Sequence, residues 1–486
     1  MPKLYKTEQI RAIESQIMQH VAEWDLMQKA ADAVYRFIRR YYPSPSHYVC
    51  VIGGGNNGGD ALTVAALLKT AGKFVDVRMV IPRDRLTGSA ARAAEKAEFS
   101  GLSLKPFDEQ EALLANAVII DGLVGIGLSA PCREPILSAI HWINRQPCPV
   151  VSIDLPSGLN ADTGCAMGAA VHANYTVTLI GAKIGLYMAD GPDHAGEIHV
   201  ANLNEDDFLA SYPAIANTLP LTDYGFLARK RNVHKGHFGH VLIIGGNEGM
   251  AGAVAMASLA AMRTGAGLVS AVVRRANMTA VLPVVPEAMV YGIDDANIPK
   301  ALLEKATVLV VGPGLGEDDW AKGCFSQALQ ANKTMLIDAS ALHLLADMKH
   351  YQSSQMVLTP HPGEAGKLLG ISASEVQSDR LAYAQKIQSQ YGGVCVLKGV
   401  GTLICDGHGI HVCQHGNPGM ASAGMGDVLS GIIAALLAQG MDISRASQYG
   451  VLLHAIAGDE AAKHYGEVSM IARDVIDRIP ACINRL

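Results

Sequence analysis

The chain has 486 residues, of which 49% are hydrophobic and 17% charged, and its formal net charge is −6. This length exceeds one ordinary hydrophobic core, so we expect two α/β domains. The slightly acidic balance without a dense basic tract argues against a nucleic-acid partner, and no run reaches the roughly 18 apolar residues of a membrane span.

The nine cysteines are odd in number, include no CxxC pair and lie mostly in apolar strands. Such residues are typical of reduced core thiols, because disulfides belong to oxidising compartments. The opening residues also lack the apolar region of a signal peptide. These features predict a cytoplasmic protein.

The first half of the chain alternates short apolar strands with helical segments. A helical opening, residues 7–41, precedes the first strand. We predict strands at 48–52, 74–81, 117–120, 150–153, 175–180 and 197–200, with helices that include 60–71, 89–96 and 135–144. This alternation predicts a parallel sheet with helices on both faces. A polar stretch containing Pro213 and Pro220 follows, so we place the boundary at Leu221, giving domains 1–221 and 222–486.

A dense glycine loop, GGGNNGGD at residues 53–60, follows the first predicted strand and precedes a helix. In this context backbone N–H groups can bind a nucleotide phosphate. The loop is not GxGxxG, so the dehydrogenase fingerprint does not fit. A tight turn without a ligand is the alternative explanation.

Carboxylates follow two further predicted strands, at Asp121 and Asp154. Because the carboxyl ends of parallel strands line the ligand crevice, Asn57, Asp121 and Ser157 are predicted oxygen ligands for a hard cation. Asp154 is then a candidate acid or base. Lys183, after a later strand, is equally well explained as a site residue or as a solvated surface lysine.

The segments GGGNNGGD, DGLVGIGLSAP and SIDLPSG, in that order, resemble the NAD(P)HX epimerase family, or YjeF N-terminal domains. The resemblance implies a Rossmann-like three-layer αβα sandwich that binds a hydrated nicotinamide nucleotide and inverts the carbon bearing its 6-hydroxyl group. It implies a potassium ion at Asn57, Asp121 and Ser157, and we take Asp154 as the catalytic acid/base. The implied nucleotide contacts are Asn56, Asn57, Gly58, Gly59, Asp60, Gly125, Ile126, Gly127, Leu128, Ser129, Ala130, Pro131 and Asp154.

The second half restarts the alternation of strands and helices. Its predicted strands are 241–244, 268–273, 288–291, 308–311, 336–338, 356–359, 394–398, 402–405 and 410–413. Asp406-Gly407-His408-Gly409 predicts a hairpin between the last two, because Asp-Gly supplies positive-φ turn residues. Helices at 428–439 and 445–464 are predicted to close the chain.

The most informative segment, GNPGMASAGMGD at residues 416–427, runs directly into an apolar helix. Glycine N–H groups and the helix dipole favour an anion there. A carboxylate in that place repels phosphate unless it serves the reaction, so Asp427 is a candidate acceptor of a hydroxyl proton during phosphoryl transfer. The alternative is that Asp427 only caps the helix, which a lone Asp-to-helix junction would favour.

Five Gly- or Pro-rich loops lie at predicted strand ends in this half. Each could merely separate βα units, but together with His361, Glu364 and Asp427 they favour a shared site. Pro360 and Pro362 fix the backbone around His361, which favours a ligand contact over a structural role for its imidazole. No His/Cys spacing suits zinc.

The segments HKGHFGHVLIIGG, GPGLG, LTPHPGE, LKG and GNPGMASAGMGDVLSG resemble, in order, the ADP/ATP-dependent NAD(P)HX dehydratase family. The resemblance implies a ribokinase-like αβα domain. The implied contacts to the hydrated nucleotide are Ala253, Gly314, His361 and Asp427. The implied contacts to ADP or AMP are Lys398, Gly399, Val400, Gly401, Thr402 and Gly426.

The implied chemistry begins with the poor leaving group at C6. ADP phosphorylates the hydroxyl group while Asp427 takes its proton, and loss of phosphate then restores the dihydronicotinamide. Magnesium is expected to accompany the diphosphate. One segment departs from the family pattern, since DASALH at 338–343 keeps Asp338 but carries Ser340 and His343 where aspartate and asparagine are usual. Any role for those two positions is in doubt.

The two resemblances together imply a bifunctional isomerase and lyase that repairs NADHX and NADPHX. The sequence leaves open the choice of ADP or ATP and of the preferred dinucleotide. The alternatives are a ribokinase-like small-molecule kinase fused to a Rossmann-like ligand-binding module, and a non-catalytic first half beside one active half. We expect a homo-oligomer, in which Trp24 and Leu26 on the opening helices pack against another subunit or against the same sheet.

Overall fold

The computed structural model describes residues 2–45, 47–111, 113, 116–221, 229–348 and 351–484. The chain divides into two compact units, Pro2–Asn217 and Thr218–Leu486, whereas the boundary predicted from composition lies at Leu221. Residues 222–228, just after that boundary, lie outside the described part. Over the described ranges, no helix has the length and apolarity needed to cross a membrane.

The first unit is an α/β fold in which strands and helices alternate. Its helices are α1 (Thr7–Ile17), α2 (Glu23–Tyr41), α3 (Asn56–Thr70), α4 (Gly88–Phe99), α5 (Ile136–Arg145), α6 (Gly191–Ala195) and α7 (Asp206–Ser211). Its strands are β1 (Lys3–Tyr5), β2 (His47–Ile52), β3 (Val75–Met79), β4 (Leu104–Pro106), β5 (Ala117–Gly122), β6 (Val150–Ile153), β7 (Tyr175–Leu179), β8 (Ala182–Lys183), β9 (Glu197–Ala201) and β10 (Ala216–Thr218).

The main sheet of this unit is parallel and has the order β4-β3-β2-β5-β6-β7-β9. Successive β2 side chains enter two different cores, because side chains alternate across a strand. Tyr48 and Cys50 pack in one core with α1 to α4, and Val49 packs in the other with α5. The predicted parallel sheet between two helical layers is therefore confirmed.

The two opening helices pack on their own unit. Trp24 and Leu26 are 6% and 9% exposed and belong to the same core as Ile52 of β2. Of the two packing alternatives, the structure shows burial within the chain. These side chains therefore give no support to a homo-oligomer, which stays a prediction.

The second unit is a larger α/β fold. Its strands are β11 (His240–Ile244), β12 (Leu268–Arg274), β13 (Met289–Ile293), β14 (Val308–Val311), β15 (Thr334–Ile337), β16 (Met356–Leu358), β17 (Val394–Leu397), β18 (Thr402–Cys405) and β19 (Ile410–Cys413). Its helices are α8 (Ala251–Arg263), α9 (Met278–Val281), α10 (Lys300–Lys305), α11 (Asp319–Gln330), α12 (Ser340–Ala346), α13 (Pro362–Leu369), α14 (Ala373–Ser378), α15 (Arg380–Tyr391), α16 (Met425–Ala438), α17 (Ile443–Tyr465) and α18 (Ala472–Ile483).

The sheet of this unit runs β13-β12-β11-β14-β15-β16-β17-β18-β19 and is parallel up to β17. The predicted hairpin is confirmed, since β18 and β19 pair in antiparallel register from Thr402↔Cys413 to Cys405↔Ile410. The Asp406 carboxylate closes its turn by accepting hydrogen bonds from the N–H groups of His408 and Gly409, both at 2.9 Å. Helices α8 and α16 pack together in one apolar core.

Three helix predictions need correction. Helix α3 begins at Asn56, not at residue 60, and α16 begins at Met425, not at residue 428. Both first turns contain glycine, at Gly58 and Gly59 in α3 and at Gly426 in α16, and lack the apolar spacing that marks a helix. The chain also does not close with α17, because α18 follows it. Pro480 lies inside α18, and the buried Val475, Ile476 and Ile479 offset the hydrogen bond that proline removes.

Seven of the nine cysteines are buried, as the prediction of core thiols requires. They are Cys50, Cys148, Cys324, Cys395, Cys405, Cys413 and Cys482. Burial raises the pKa of the Cys324 and Cys413 thiols to about 12. A thiol with so high a pKa is inert, because the thiolate is the reactive form.

Candidate functional site

The glycine loop of the first unit joins β2 to α3. A Cβ atom on Gly53 would lie 1.8 Å from the Leu123 carbonyl oxygen, so only glycine allows this close approach. Asn56 to Asp60, predicted to contact the nucleotide, form the first turn and a half of α3. Backbone N–H groups in a first helical turn have no partner within the helix, which suits binding of an anion.

Two of the three predicted cation ligands are in direct contact. Asp121 is fully buried and accepts hydrogen bonds from the Ser157 hydroxyl at 2.6 Å and the Ser157 N–H at 2.9 Å. It also accepts them from the Ser152 hydroxyl at 2.8 Å and the Leu123 N–H at 3.2 Å. Burial raises the pKa of the Asp121 carboxyl, and these hydrogen bonds oppose the rise.

The third predicted ligand, Asn57, has an amide that fits a bound cation. Its Oδ1 and Nδ2 atoms are buried, and neither has a hydrogen-bond partner among the described residues. Its backbone oxygen would lie 3.1 Å from a Cβ on Gly122, the neighbour of Asp121. A buried amide oxygen without a partner is costly, so this oxygen is available to a ligand.

Asp154 and Lys183 form a buried ion pair at the end of β6. Lys183 is 1% exposed, so its interpretation as a solvated surface lysine is wrong. The predicted nucleotide segment 125–131 approaches Asp154 at Gly125, where an added Cβ would lie 3.2 Å from Asp154 Oδ2 and 3.4 Å from Asn57 Cγ. The fold thus gathers Asn57, Gly125 and Asp154 at one edge of the sheet.

In the second unit Asp427 is the third residue of α16. The N-cap is Gly424, at φ +88°, and no side chain in the described part of the chain caps the helix, so the interpretation of Asp427 as a cap is wrong. Burial raises the pKa of the Asp427 carboxyl to about 7, with Asp338 adding to the rise and Lys398 opposing it. A carboxyl group titrating near neutral pH can take up a proton during a reaction.

Lys398 sits among carboxylates beside Asp427. Its Nζ lies 2.9 Å from Asp338 Oδ1 and 3.6 Å from Glu364 Oε2. Burial would lower the pKa of the Lys398 ammonium, but the charges of Asp338 and Glu364 outweigh it and the pKa is raised. A Cβ on Gly426 would lie 3.4 Å from this Nζ, so glycine keeps the start of α16 open next to the cation.

The motifs did not reveal Asp338 and Glu364 as the partners of Lys398. Asp338 follows β15 and also accepts a hydrogen bond from the Ser430 hydroxyl at 2.8 Å. In the sequence, the feature that could have pointed to Asp338 as a site residue is its position directly after a strand. His343, which stands where the family usually has asparagine, has its own partner, because its Nδ1 lies 2.7 Å from Glu317 Oε1.

His361 has a structural role that the sequence did not predict. It is the N-cap of α13, where its Nδ1 accepts hydrogen bonds from Gly363 N at 3.0 Å and Glu364 N at 3.3 Å. The Glu364 carboxylate returns a contact by accepting the His361 N–H at 2.7 Å. The Nδ1 atom of His361 is therefore engaged in capping α13, while 56% of the side chain is exposed.

The other predicted contacts form two small groups. Gly314, at φ +59°, would place a Cβ 3.2 Å from Ala253 Cβ, so these residues adjoin at the ends of β14 and α8. The turn from Lys398 to Thr402 includes Gly399, at φ +136°, packed against the guanidinium of Arg380. Arg380 donates to the Lys398 carbonyl oxygen at 3.3 Å, which fixes the turn.

Comparison with known proteins gives the same two parts. The family described as NAD(P)H-hydrate dehydratase matches residues 241–481, and the family described as YjeF-related protein N-terminus matches residues 23–185. Among solved structures, a ribokinase-like superfamily protein from Enterococcus faecalis is 29% identical with a TM-score of 0.53. It covers 56% of this chain and 98% of its own. The ADP/ATP-dependent NAD(P)H-hydrate dehydratase of Bacillus subtilis, co-crystallised with ATP and Mg2+, is 27% identical with a TM-score of 0.51 and the same coverage.

Two relatives match along nearly their whole length. A bifunctional NAD(P)H-hydrate repair enzyme from Coxiella burnetii is 41% identical and covers 100% of both chains. The bifunctional NAD(P)H-hydrate repair enzyme of Escherichia coli is 38% identical over 95% of this chain and 90% of its own. With both units matched in order and over their length, this chain belongs to the family of bifunctional NAD(P)H-hydrate repair enzymes.

Proposed function

We propose that this enzyme epimerises the R and S forms of NADHX and NADPHX and dehydrates the S form with ADP, releasing AMP and phosphate. The observation that carries the dehydratase part is the position of Asp427, a carboxyl group with a pKa of about 7 at the start of α16, beside Lys398. The family membership and the separate buried site around Asp154 support the epimerase part.

In the proposed dehydration Asp427 takes the proton of the C6 hydroxyl group as its oxygen attacks the β-phosphorus of ADP. The bond from that phosphorus to the bridging oxygen breaks, and AMP leaves. The N–H groups at the start of α16 and the ammonium of Lys398 stabilise charge on the phosphoryl oxygens. Cleavage of the C6–O bond then expels phosphate, and loss of a proton from the ring restores the dihydronicotinamide.

The residues around these groups supply binding. The Lys398–Thr402 turn and Gly426 are proposed to contact ADP or AMP, and Ala253, Gly314 and His361 to contact the hydrated nucleotide. Support comes from their positions, since Gly426 adjoins Lys398 and Gly314 adjoins Ala253. A magnesium ion, when bound with the diphosphate, neutralises phosphate charge.

In the proposed epimerisation the Asp154 carboxylate takes the proton of the C6 hydroxyl group as the C6–N1 bond breaks and C6 becomes an aldehyde carbon. N1 then adds to the other face of that carbonyl group, and the C6 oxygen regains the proton from Asp154. The first turn of α3 and the partly exposed segment 125–131 are proposed to hold the nucleotide. Asn57, Asp121 and Ser157 would hold a potassium ion, which supplies a positive charge near the nucleotide when bound. The buried Asp121 carboxylate and the Asn57 amide, which has no hydrogen-bond partner among the residues described, support this donor set.

Recovery of near-ultraviolet absorbance from a mixture of both NADH hydrate epimers tests the proposal. We expect complete recovery that requires ADP, because the epimerase converts the R form into the S form that the dehydratase consumes. Recovery that stops when the S form is exhausted would refute the epimerase part. A stable phosphorylated product without recovered absorbance would instead identify a small-molecule kinase.

A further inference from the structure

Lys183 is fully buried, and its ammonium group has three acceptors. It donates to the Asp154 carboxylate, to the Leu179 carbonyl oxygen at 2.7 Å and to the Thr178 hydroxyl at 3.2 Å. Three acceptors satisfy all three donors of an ammonium group. An unpaired buried charge is very costly. The ion pair therefore fixes both the Lys183 side chain and the Asp154 carboxylate.

The Asp154 carboxylate is fixed through one oxygen. Oδ1 binds Lys183 and accepts the Leu179 N–H at 3.2 Å. Oδ2 has no hydrogen-bond partner within the described ranges. It lies beside Gly125, where an added Cβ would be 3.2 Å from it. The Asp154 backbone has φ +67°, a conformation that non-glycine residues rarely adopt and that the surrounding structure must hold. The open oxygen thus faces the segment proposed to bind the nucleotide.

Two further carboxyl groups face this ion pair, Asp60 from α3 and Glu14 from α1. Burial raises the pKa of Asp60 well above its usual range, Asp154 and Glu14 add to the rise, and Lys183 opposes it. Burial also raises the pKa of Glu14, where Lys183 and Arg11 oppose the rise and Asp154 adds to it. Removal of Lys183 would leave Asp154 facing two carboxyl groups without its direct counter-charge.

We propose that Lys183 is a positioning residue for epimerisation, which binds Asp154 Oδ1 and so leaves Oδ2 aimed at the hydrated nicotinamide. This inference rests on the proposed epimerase function. Lys183 does not exchange the proton itself, because its three donors are already used by Asp154, Thr178 and Leu179. Its effect is on the orientation of the Asp154 carboxylate.

Lys183→Met tests the inference in the full-length chain. Epimerisation is followed without ADP by chromatographic separation of the R and S forms. We expect kcat to fall about 100-fold, the scale of one acid–base group, with KM changed less than about threefold. The loss should lie in kcat and not in KM, because Lys183 is not among the proposed nucleotide contacts. An unchanged kcat would overturn the inference.

Matched variants separate positioning from folding. Thr178→Val removes one acceptor of Lys183 without touching Asp154, and we expect epimerisation within about threefold of the wild-type rate. Asp154→Asn/Lys183→Met removes both charges and should keep a folded first unit, as judged by its thermal transition. If Lys183→Met lowers kcat but Thr178→Val lowers it equally, packing and not the ion pair is responsible and the inference fails. A wild-type chain that does not accelerate epimerisation would refute the proposed function instead.

Discussion

At the scale of residues, the charge of Asp427 depends on its surroundings. Burial and the nearby Asp338 carboxylate favour its protonated form, and the Lys398 ammonium favours its ionised form. These opposing effects leave the pKa near 7, where proton uptake and release both occur readily. Because the Asp427 carboxyl group is buried, its ionised form lowers the stability of the fold.

Asp427→Asn tests this balance through pH. Between its ordinary pKa of 3.8 and about pH 7, the Asp427 carboxyl group is protonated in the folded chain and ionised in the unfolded chain. The fold therefore loses stability as pH rises through about 7, where the buried carboxyl group also ionises. At about pH 8 the variant should therefore melt at a higher temperature than the wild type, and at about pH 3 the difference should vanish. Dehydration should fall about 1,000-fold, with epimerisation unchanged.

Calorimetry at both pH values and the two activity assays measure these effects. A wild-type dehydration rate that rises from acid pH towards a plateau above about pH 7 would agree with a base that must be ionised. Equal stabilisation at both pH values would contradict the pKa assignment.

At the scale of elements, the sites depend on glycines at or before the starts of helices. Gly53 lets the loop after β2 pass the end of β5, and Gly426 lets the start of α16 approach Lys398. In both places a helix N-terminus faces the space where a phosphate is proposed to bind. These turns are packed against neighbouring backbone or side chains. The packing fixes the positions of the first turns of α3 and α16.

Gly53→Ala tests the first of these turns. The added Cβ would lie 1.8 Å from the Leu123 carbonyl oxygen, so the loop or the end of β5 must move. A displacement of about 1 Å at a catalytic site lowers rates by about 100-fold, and we expect this loss in epimerisation. Gly55→Ala is the control, because its added Cβ meets nothing within 4 Å, and its effect should be much smaller. Equal losses in the two variants would contradict the argument.

At the scale of the whole molecule, each unit has its own set of parallel strands, its own core and its own candidate site. The Bacillus subtilis dehydratase matches 56% of this chain over 98% of its own length, so a related second unit exists as a protein by itself. The fusion has a chemical advantage if the dehydratase accepts one epimer. The first unit then converts the other epimer into the form that the second unit consumes.

A fragment of residues 218–486 tests this division. We expect it to fold and to dehydrate the S form with ADP at about the rate of the full chain, since the proposed contacts all lie within it. Recovery from mixed epimers should then continue only as fast as spontaneous epimerisation, and added full-length Asp427→Asn should restore the fast phase. Complete fast recovery by the fragment alone would contradict the assignment of epimerisation to the first unit.

The sequence by itself determined the α/β class, most strand positions and the order of the loops that carry the sites. Parallel strands, the hairpin at Asp406 and the glycine turn at Gly53 follow from apolar runs and from backbone sterics, which are local properties. The adjacency of Asp121 and Ser157 also follows, because Asp121 lies near the carboxyl end of β5 and Ser157 follows β6, its parallel neighbour. Helix starts were wrong where glycine-rich turns hide the apolar pattern.

Only the tertiary structure decided which charges meet. Lys398 is 60 residues from Asp338, and Lys183 is 29 residues from Asp154, so neither ion pair can be inferred from sequence spacing. The same holds for the pKa of Asp427, since burial, Asp338 and Lys398 act on it together. Desolvation and Coulomb energies depend on distances through the folded chain, whereas turns and strands depend on neighbouring residues. For that reason the motifs located the candidate sites, and the fold determined their chemistry.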